Sequence, residues 1–172
     1  SFPLQKSSYL FGNFFSAFTL VLFITLSLAL GFLLGETILG IDNPKIGETN
    51  LWGYGSVYLF FVLPNIFIYG LLVFMTVCLS RNIYAGFITI LLLFFLQTIT
   101  QNLFTGQPFL IALTDPLGQL AATYETRLWT LAEQNTLLIP SMGMVLFNRL
   151  FWLGLTSILF LIFYQKFTFS QE

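Results

Sequence analysis

The chain is 172 residues long, 57% hydrophobic and 19% aromatic, and carries six Lys/Arg, seven Asp/Glu and no histidine. Soluble domains are about 25% charged. At 8% charged this chain cannot cover a water-facing surface, which excludes a soluble domain, a disordered tail and a nucleic-acid binder. Without histidine there is no imidazole relay, Ser-His-Asp triad or His-zinc centre, and the single cysteine, Cys78, forbids an internal disulfide or a thiolate metal cluster. What remains is an all-α, polytopic membrane protein with neither cofactor nor metal site.

The first twelve residues, SFPLQKSSYLFG, lack the basic start and small-residue cleavage site of a secretory signal. They begin at Ser1 and read as part of a processed or truncated chain. This segment is either a membrane-surface anchor or a docking element that leads into a span. Asn13 to Gly35 is almost continuously apolar and predicts the first span, since a helix needs roughly 20 such residues to cross a bilayer. A polar stretch follows, with Glu36, Asp42, Lys45, Glu48 and the turn-forming Asn43-Pro44.

Trp52 to Leu79 is charge-free and predicts the second span. Pro64-Asn65 falls in its middle, where proline removes one intrahelical hydrogen bond and Asn65 is placed to satisfy a freed carbonyl. A kink is expected there, as a static bend or as a hinge. Arg81 and Asn82 make a short turn before the third span, Ile83 to Leu103.

Residues 104–143 are too many for a bare loop and too polar for a span. Asp115-Pro116 reads as a helix start, with Asp as cap and Pro at the first helical position. Leu117, Leu120, Ala121, Tyr124, Leu128 and Leu131 then recur at helical spacing, leaving Glu125, Arg127 and Glu133 off the stripe. The expectation is one amphipathic helix on the outer face, ended before Pro140. It either packs on the ends of the spans or shapes an exit path for a substrate.

Met144 to Tyr164 predicts the fourth span, closed by Lys166. Arg149 is the one charge well inside a span, where a cation is costly unless it reaches the interface or finds a partner. Three roles fit it: snorkelling, pairing with Glu125 or Glu133 of the outer segment, or contact with an anionic substrate headgroup.

Four spans put both chain ends on one side. Lys6, Arg81 and Lys166 share that side, while Glu36, Asp42, Glu48, Asp115, Glu125 and Glu133 fall on the other against Lys45 and Arg127. The positive-inside rule then makes the basic side cytoplasmic. Trp52, Tyr54 and Tyr58 mark one interface, and Tyr84 and Tyr164 the other.

Two features combine in this chain. One is a Pro3-Leu4 segment that reaches Tyr9-Leu10-x-Gly12 and enters a span; the other is a long helical insertion before the last span. Together they resemble the later two-thirds of a type-2 ABC transporter permease. The likeness is more specific in Asp115-Pro116-Leu117-Gly118, Thr126-Arg127-Leu128-Trp129-Thr130, Ala132-Glu133-Gln134-Asn135-Thr136 and Asn148-Arg149-Leu150-Phe151-Trp152-Leu153. That string is similar to the permease part of bacterial permease/zinc-aminopeptidase fusion proteins, across most of residues 105–169.

The resemblance implies the last four of six membrane helices in a bacterial inner-membrane permease. Pro3, Leu4 and Lys6 would lie at the coupling region that touches an ATP-binding cassette subunit. Further membrane helices, or a second permease, would complete the assembly in the lipid bilayer. The chain departs from the family in having no peptidase domain and no His-Glu-x-x-His site. It also has no Gly-x-x-x-x-Gly-Lys-Ser/Thr loop, so ATP hydrolysis is expected only in a partner and no enzyme activity in this chain. The rival expectation is a structural or assembly subunit of a larger membrane complex, which the sparse intramembrane charge suits.

Overall fold

The computed structural model describes residues 5–38 and 50–168, without the side chains of residues 36–38 and 135. Pro3 and Leu4, two of the three coupling candidates, lie outside the described residues, as do Asp42, Lys45 and Glu48. All regular structure among the described residues is helical. Four stretches are long and apolar enough to cross a membrane: Lys6–Gly35, Leu51–Ser80, Tyr84–Leu103 and Met144–Lys166. The chain is therefore an all-α, multi-pass membrane protein.

Helix α1 runs Lys6–Ile38. It starts well before the apolar run that begins at Asn13, because nothing between Lys6 and Gly12 breaks a helix and Leu10 is fully buried. The second crossing is a continuous rod of α2 (Leu51–Val57), a π-helical turn (Tyr58–Val62) and α3 (Leu63–Ser80). In the wide turn the Leu63 N–H bonds to the Tyr58 carbonyl, five residues back. It falls directly ahead of Pro64, whose ring crowds the carbonyl four residues earlier and offers it no N–H. Asn65 does not repair that gap: its amide points away, to the Leu117 carbonyl.

A tight turn joins α3 to α4 (Tyr84–Leu103). Arg81 takes the left-handed conformation at φ 52°, and Asn82 Oδ1 accepts the Tyr84 N–H at 2.9 Å. The two helices then run close together. A Cβ on Gly86 would lie 3.0 Å from Val73 and 3.1 Å from Val77, and Thr89 donates to Thr76 at 2.9 Å. Small residues at such a seam let backbones approach where no hydrophobic drive separates helix from lipid.

The last crossing, α8 (Met144–Lys166), packs against α3 with two different kinds of contact. At the end carrying Lys6, Arg81 and Lys166 the packing is apolar and aromatic. Leu10 and Phe14 of α1, Leu71 and Met75 of α3, and Phe160 and Phe163 of α8 form one buried cluster. Phe14 meets Phe67 edge-on at 5.9 Å, and the Lys6 ammonium lies 4.7 Å over the Tyr164 ring. At the opposite end the contacts are polar.

The insertion between α4 and α8 is not one amphipathic helix. It forms α5 (Pro108–Thr114), α6 (Gln119–Thr126) and α7 (Leu131–Thr136). Pro116 is not the first helical residue either: Asp115 is extended (φ −74°, ψ 112°), as a residue before proline prefers, and α6 begins only at Gln119. Gly118 then turns the chain at φ 75° into α6. The expected apolar stripe breaks accordingly: Ala121 is fully buried, while Leu128 and Leu131 are 83% and 80% exposed.

Candidate functional site

The sequence of α5 sets the problem that the site solves. A helix leaves its last carbonyls without intrahelical partners, and a buried, unpaired carbonyl costs free energy comparable to a lost hydrogen bond. Here α5 ends against α8, and α8 presents Asn148. The Asn148 amide donates to the carbonyls of Ala112 (2.7 Å), Leu113 (3.1 Å) and Asp115 (2.8 Å). Trp152, one turn further along α8, donates its indole N–H to Leu113 at 3.2 Å.

The other face of the Asn148 amide holds Arg149. Asn148 Oδ1 accepts from Arg149 Nε at 2.9 Å and also from Nη2. Arg149 Nη1 reaches across to α3 and donates to Asn65 Oδ1 at 2.7 Å. Asn65 in turn donates to the Leu117 carbonyl at 3.1 Å. One continuous set of hydrogen bonds thus joins α3, α8 and the α5–α6 connection. Asn148 is fully buried and Arg149 is 3% exposed.

Asp115 completes this clamp. Its carboxylate accepts the Leu117 N–H at 3.0 Å and the Leu120 N–H at 2.7 Å, so it caps α6 from a position five residues before Leu120. Burial pushes the Asp115 carboxyl above the usual carboxylate range, against the pull of the Leu120 and Leu117 N–H groups and the Arg149 charge. Gly118 lies flat on the guanidinium, and a Cβ there would fall inside Arg149 Nη2. The Phe61 ring lies 5.9 Å from the guanidinium carbon. Two further hydroxyls, Tyr69 and Thr156, are buried along the same helices without a hydrogen-bond partner.

Arg149 is buried rather than snorkelling, and it pairs with neither Glu125 nor Glu133. It is buried among two asparagines and an aspartate. Glu125 instead accepts the Met144 N–H, closing the start of α8, where the helix dipole favours a carboxylate. Glu133 forms a capping box with Thr130, accepting its N–H at 2.7 Å. The Thr130 N–H and hydroxyl hold the Glu133 carboxyl below the usual range. The Arg127 guanidinium stacks over the Tyr124 ring at 3.9 Å. Of the residues singled out from the sequence, the structure brings Asn65 and Arg149 together and leaves Glu125, Arg127 and Glu133 in separate local contacts. Lys6 is at the opposite end of the spans.

Sequence reasoning missed Asn148, Trp152, Asp115 and Gly118 as members of one site. A signal was present, since Asn148 directly precedes the one charge well inside a span. Among the described residues no group of three or more His, Cys, Asp or Glu could hold a metal ion. The arrangement offers no nucleophile beside a base. Its capacity is mechanical: it fixes the insertion to two spans through bonds that tolerate little displacement. No protein-family model matches the chain, and neither a curated protein nor a solved structure matches it significantly.

Proposed function

We propose that this chain is the transmembrane permease subunit of an ABC-type transporter, or a segment of one, moving substrate across or out of the membrane with ATP hydrolysed by a partner subunit. One observation carries the reading. A pair of short helices precedes the final span and is fastened to it and to α3 by the Asn65–Arg149–Asn148 clamp. A permease needs its far-side gate to move with its spans, and this clamp makes α5–α6 part of the body formed by α3 and α8. A displacement applied at the basic ends of those helices then reaches the insertion without loss in a flexible loop.

The partners follow from the same reading. An ATP-binding cassette subunit engages the basic end near Lys6, which places both chain ends in the cytoplasm of a bacterial cell. Further membrane helices, or a second permease, cover α1, whose outward residues from Phe15 to Leu34 are largely exposed within this chain. Nucleotide biases the bundle between two arrangements, and the chain itself makes no covalent bond.

Gentle detergent extraction of the chain from its native membrane tests the proposal. The expected result is recovery of an ATP-binding subunit whose ATPase rate changes when Lys6 is replaced by Gln. A stable complex that holds no nucleotide-binding protein overturns it, and leaves the structural or assembly subunit as the reading.

A further inference from the structure

The basic end holds a cavity of about 570 Å³ whose lining includes Tyr9, Arg81, Lys166 and Thr168, with Val77 and Ile83 on its apolar wall. Two of its side chains are cations, and among the described residues no carboxylate lines it. Arg81 is brought there by a left-handed backbone at φ 52°, a conformation uncommon for a residue other than glycine. Lys6 stands beside the cavity, 5.8 Å over the ring of Phe167, which is also part of the lining.

A second cavity, of about 480 Å³, adjoins the first. It shares Val77 and Ile83 and passes between α1, α3 and α4, with Phe14, Ala17 and Gly70 among its walls. Along α3 it extends from Val77 to Ile66, a rise of roughly 16 Å. That is about half of a hydrocarbon core of roughly 30 Å. The two spaces together have the shape of an amphiphile: a cationic recess at the interface leading into an apolar groove one leaflet deep.

We propose that this continuous site binds one anionic phospholipid, with its phosphate at Arg81 and Lys166 and an acyl chain in the groove between α1, α3 and α4. The positive-inside rule places the site in the cytoplasmic leaflet, whose anionic lipids attract juxtamembrane cations. An acidic protein surface would meet the two cations but leave the groove unfilled, and a free phosphate would do the same. The site stands independently of any transport role.

Titration of the full-length, delipidated chain in detergent, followed by native mass spectrometry, reads retained lipid directly. Phosphatidylglycerol is expected to bind in preference to phosphatidylcholine of the same acyl chains. Arg81→Asn suits the left-handed backbone while removing the charge. It and Lys166→Gln should each weaken phosphatidylglycerol binding about five-fold and leave phosphatidylcholine binding unchanged. Ala17→Phe narrows the groove without touching either cation, and should weaken binding of both lipids. Thermal unfolding in phosphatidylcholine checks that each variant folds, and Arg81→Lys should retain the preference.

Equal retention of the two lipids overturns the proposal, as does a phosphatidylglycerol affinity unmoved by loss of both cations. Competition by inorganic phosphate that is undiminished in a chain carrying Ala17→Phe assigns the recess to a free anion instead. Co-purification of an acidic protein, lost in Arg81→Asn while lipid is retained, assigns it to that partner.

Discussion

Replacing Asn148 by Leu should be among the most damaging single changes in the chain, although it adds an apolar side chain to an apolar span. The two amide protons of Asn148 are shared among three backbone carbonyls, and its Oδ1 accepts twice from Arg149. Interhelical hydrogen bonds in membranes average about 0.6 kcal/mol each, so the three to the end of α5 amount to about 2 kcal/mol. Arg149 would also lose one of its two acceptors, keeping only Asn65 Oδ1 while staying buried, and breaking one side of a buried charged contact costs about 3–5 kcal/mol. These figures overlap, and the expected loss is about 3–5 kcal/mol, a large share of a typical total stability of about 5–15 kcal/mol.

Thr156→Val is the matched control. Thr156 lies on the same helix and is fully buried, but its hydroxyl has no hydrogen-bond partner. Its removal should therefore be neutral or slightly stabilising. Unfolding of the full chain by SDS in mixed micelles, followed by helical circular dichroism, measures both variants. Equal, small effects of Asn148→Leu and Thr156→Val would refute the reasoning, because polar pairing would then contribute nothing that burial alone does not.

Gly118→Ala should destabilise more than Gly106→Ala in thermal unfolding. Both glycines have positive φ and share a backbone penalty of about 1–2 kcal/mol, but a Cβ at Gly118 also displaces Arg149 whereas nothing lies within 4 Å at Gly106; equal losses would remove Gly118 from the clamp. Glu125→Ala should speed hydrogen exchange at the Met144 amide and cost about 1–2 kcal/mol, whereas Glu133→Ala should fray α7 and leave global unfolding unchanged. Asp115 carries a pH signature. Its folded carboxyl is raised from 3.8 chiefly by burial, so between the unfolded value and the higher folded value the native state binds more protons. Stability from this group is then present at the acid end and falls as pH rises through that window. Asp115→Asn should remove this downward contribution to unfolding free energy against pH, and a parent-minus-variant difference that instead rises with pH would mean that the N–H groups and Arg149 outweigh burial.

The spans were legible because the bilayer imposes a single requirement on each, length with little charge. Residues 13–35, 52–79 and 83–103 meet it without any charge, while residues 144–164 carry only Arg149. Aromatic packing at the basic end was not specified by any pattern, since Phe serves lipid and helix contacts alike. The insertion was misread for a local and a distant reason. Locally, Pro116 and Gly118 mark a turn as much as a helix start, and the turn prevails because the Asp115 carboxylate has two N–H donors within reach. At a distance, Arg149 was matched to acids near it in sequence, whereas its partners are the adjacent Asn148 and Asn65, 84 residues away. Amide side chains in a span carry no charge to flag them, and only the fold shows which carbonyls they serve.

The clamp also sets an order of events during synthesis. Asn65 enters the membrane with the second crossing, but Asn148 and Arg149 arrive with the last. Until then the carbonyls of Ala112, Leu113 and Asp115 lack their Asn148 donor, and α5–α6 has no hold on α8. A nascent chain halted before Met144 thus displays its insertion as an unfinished surface, open to membrane proteases and insertases. Arrival of α8 withdraws that surface, so the same bonds that fix the insertion report that α8 has joined the bundle.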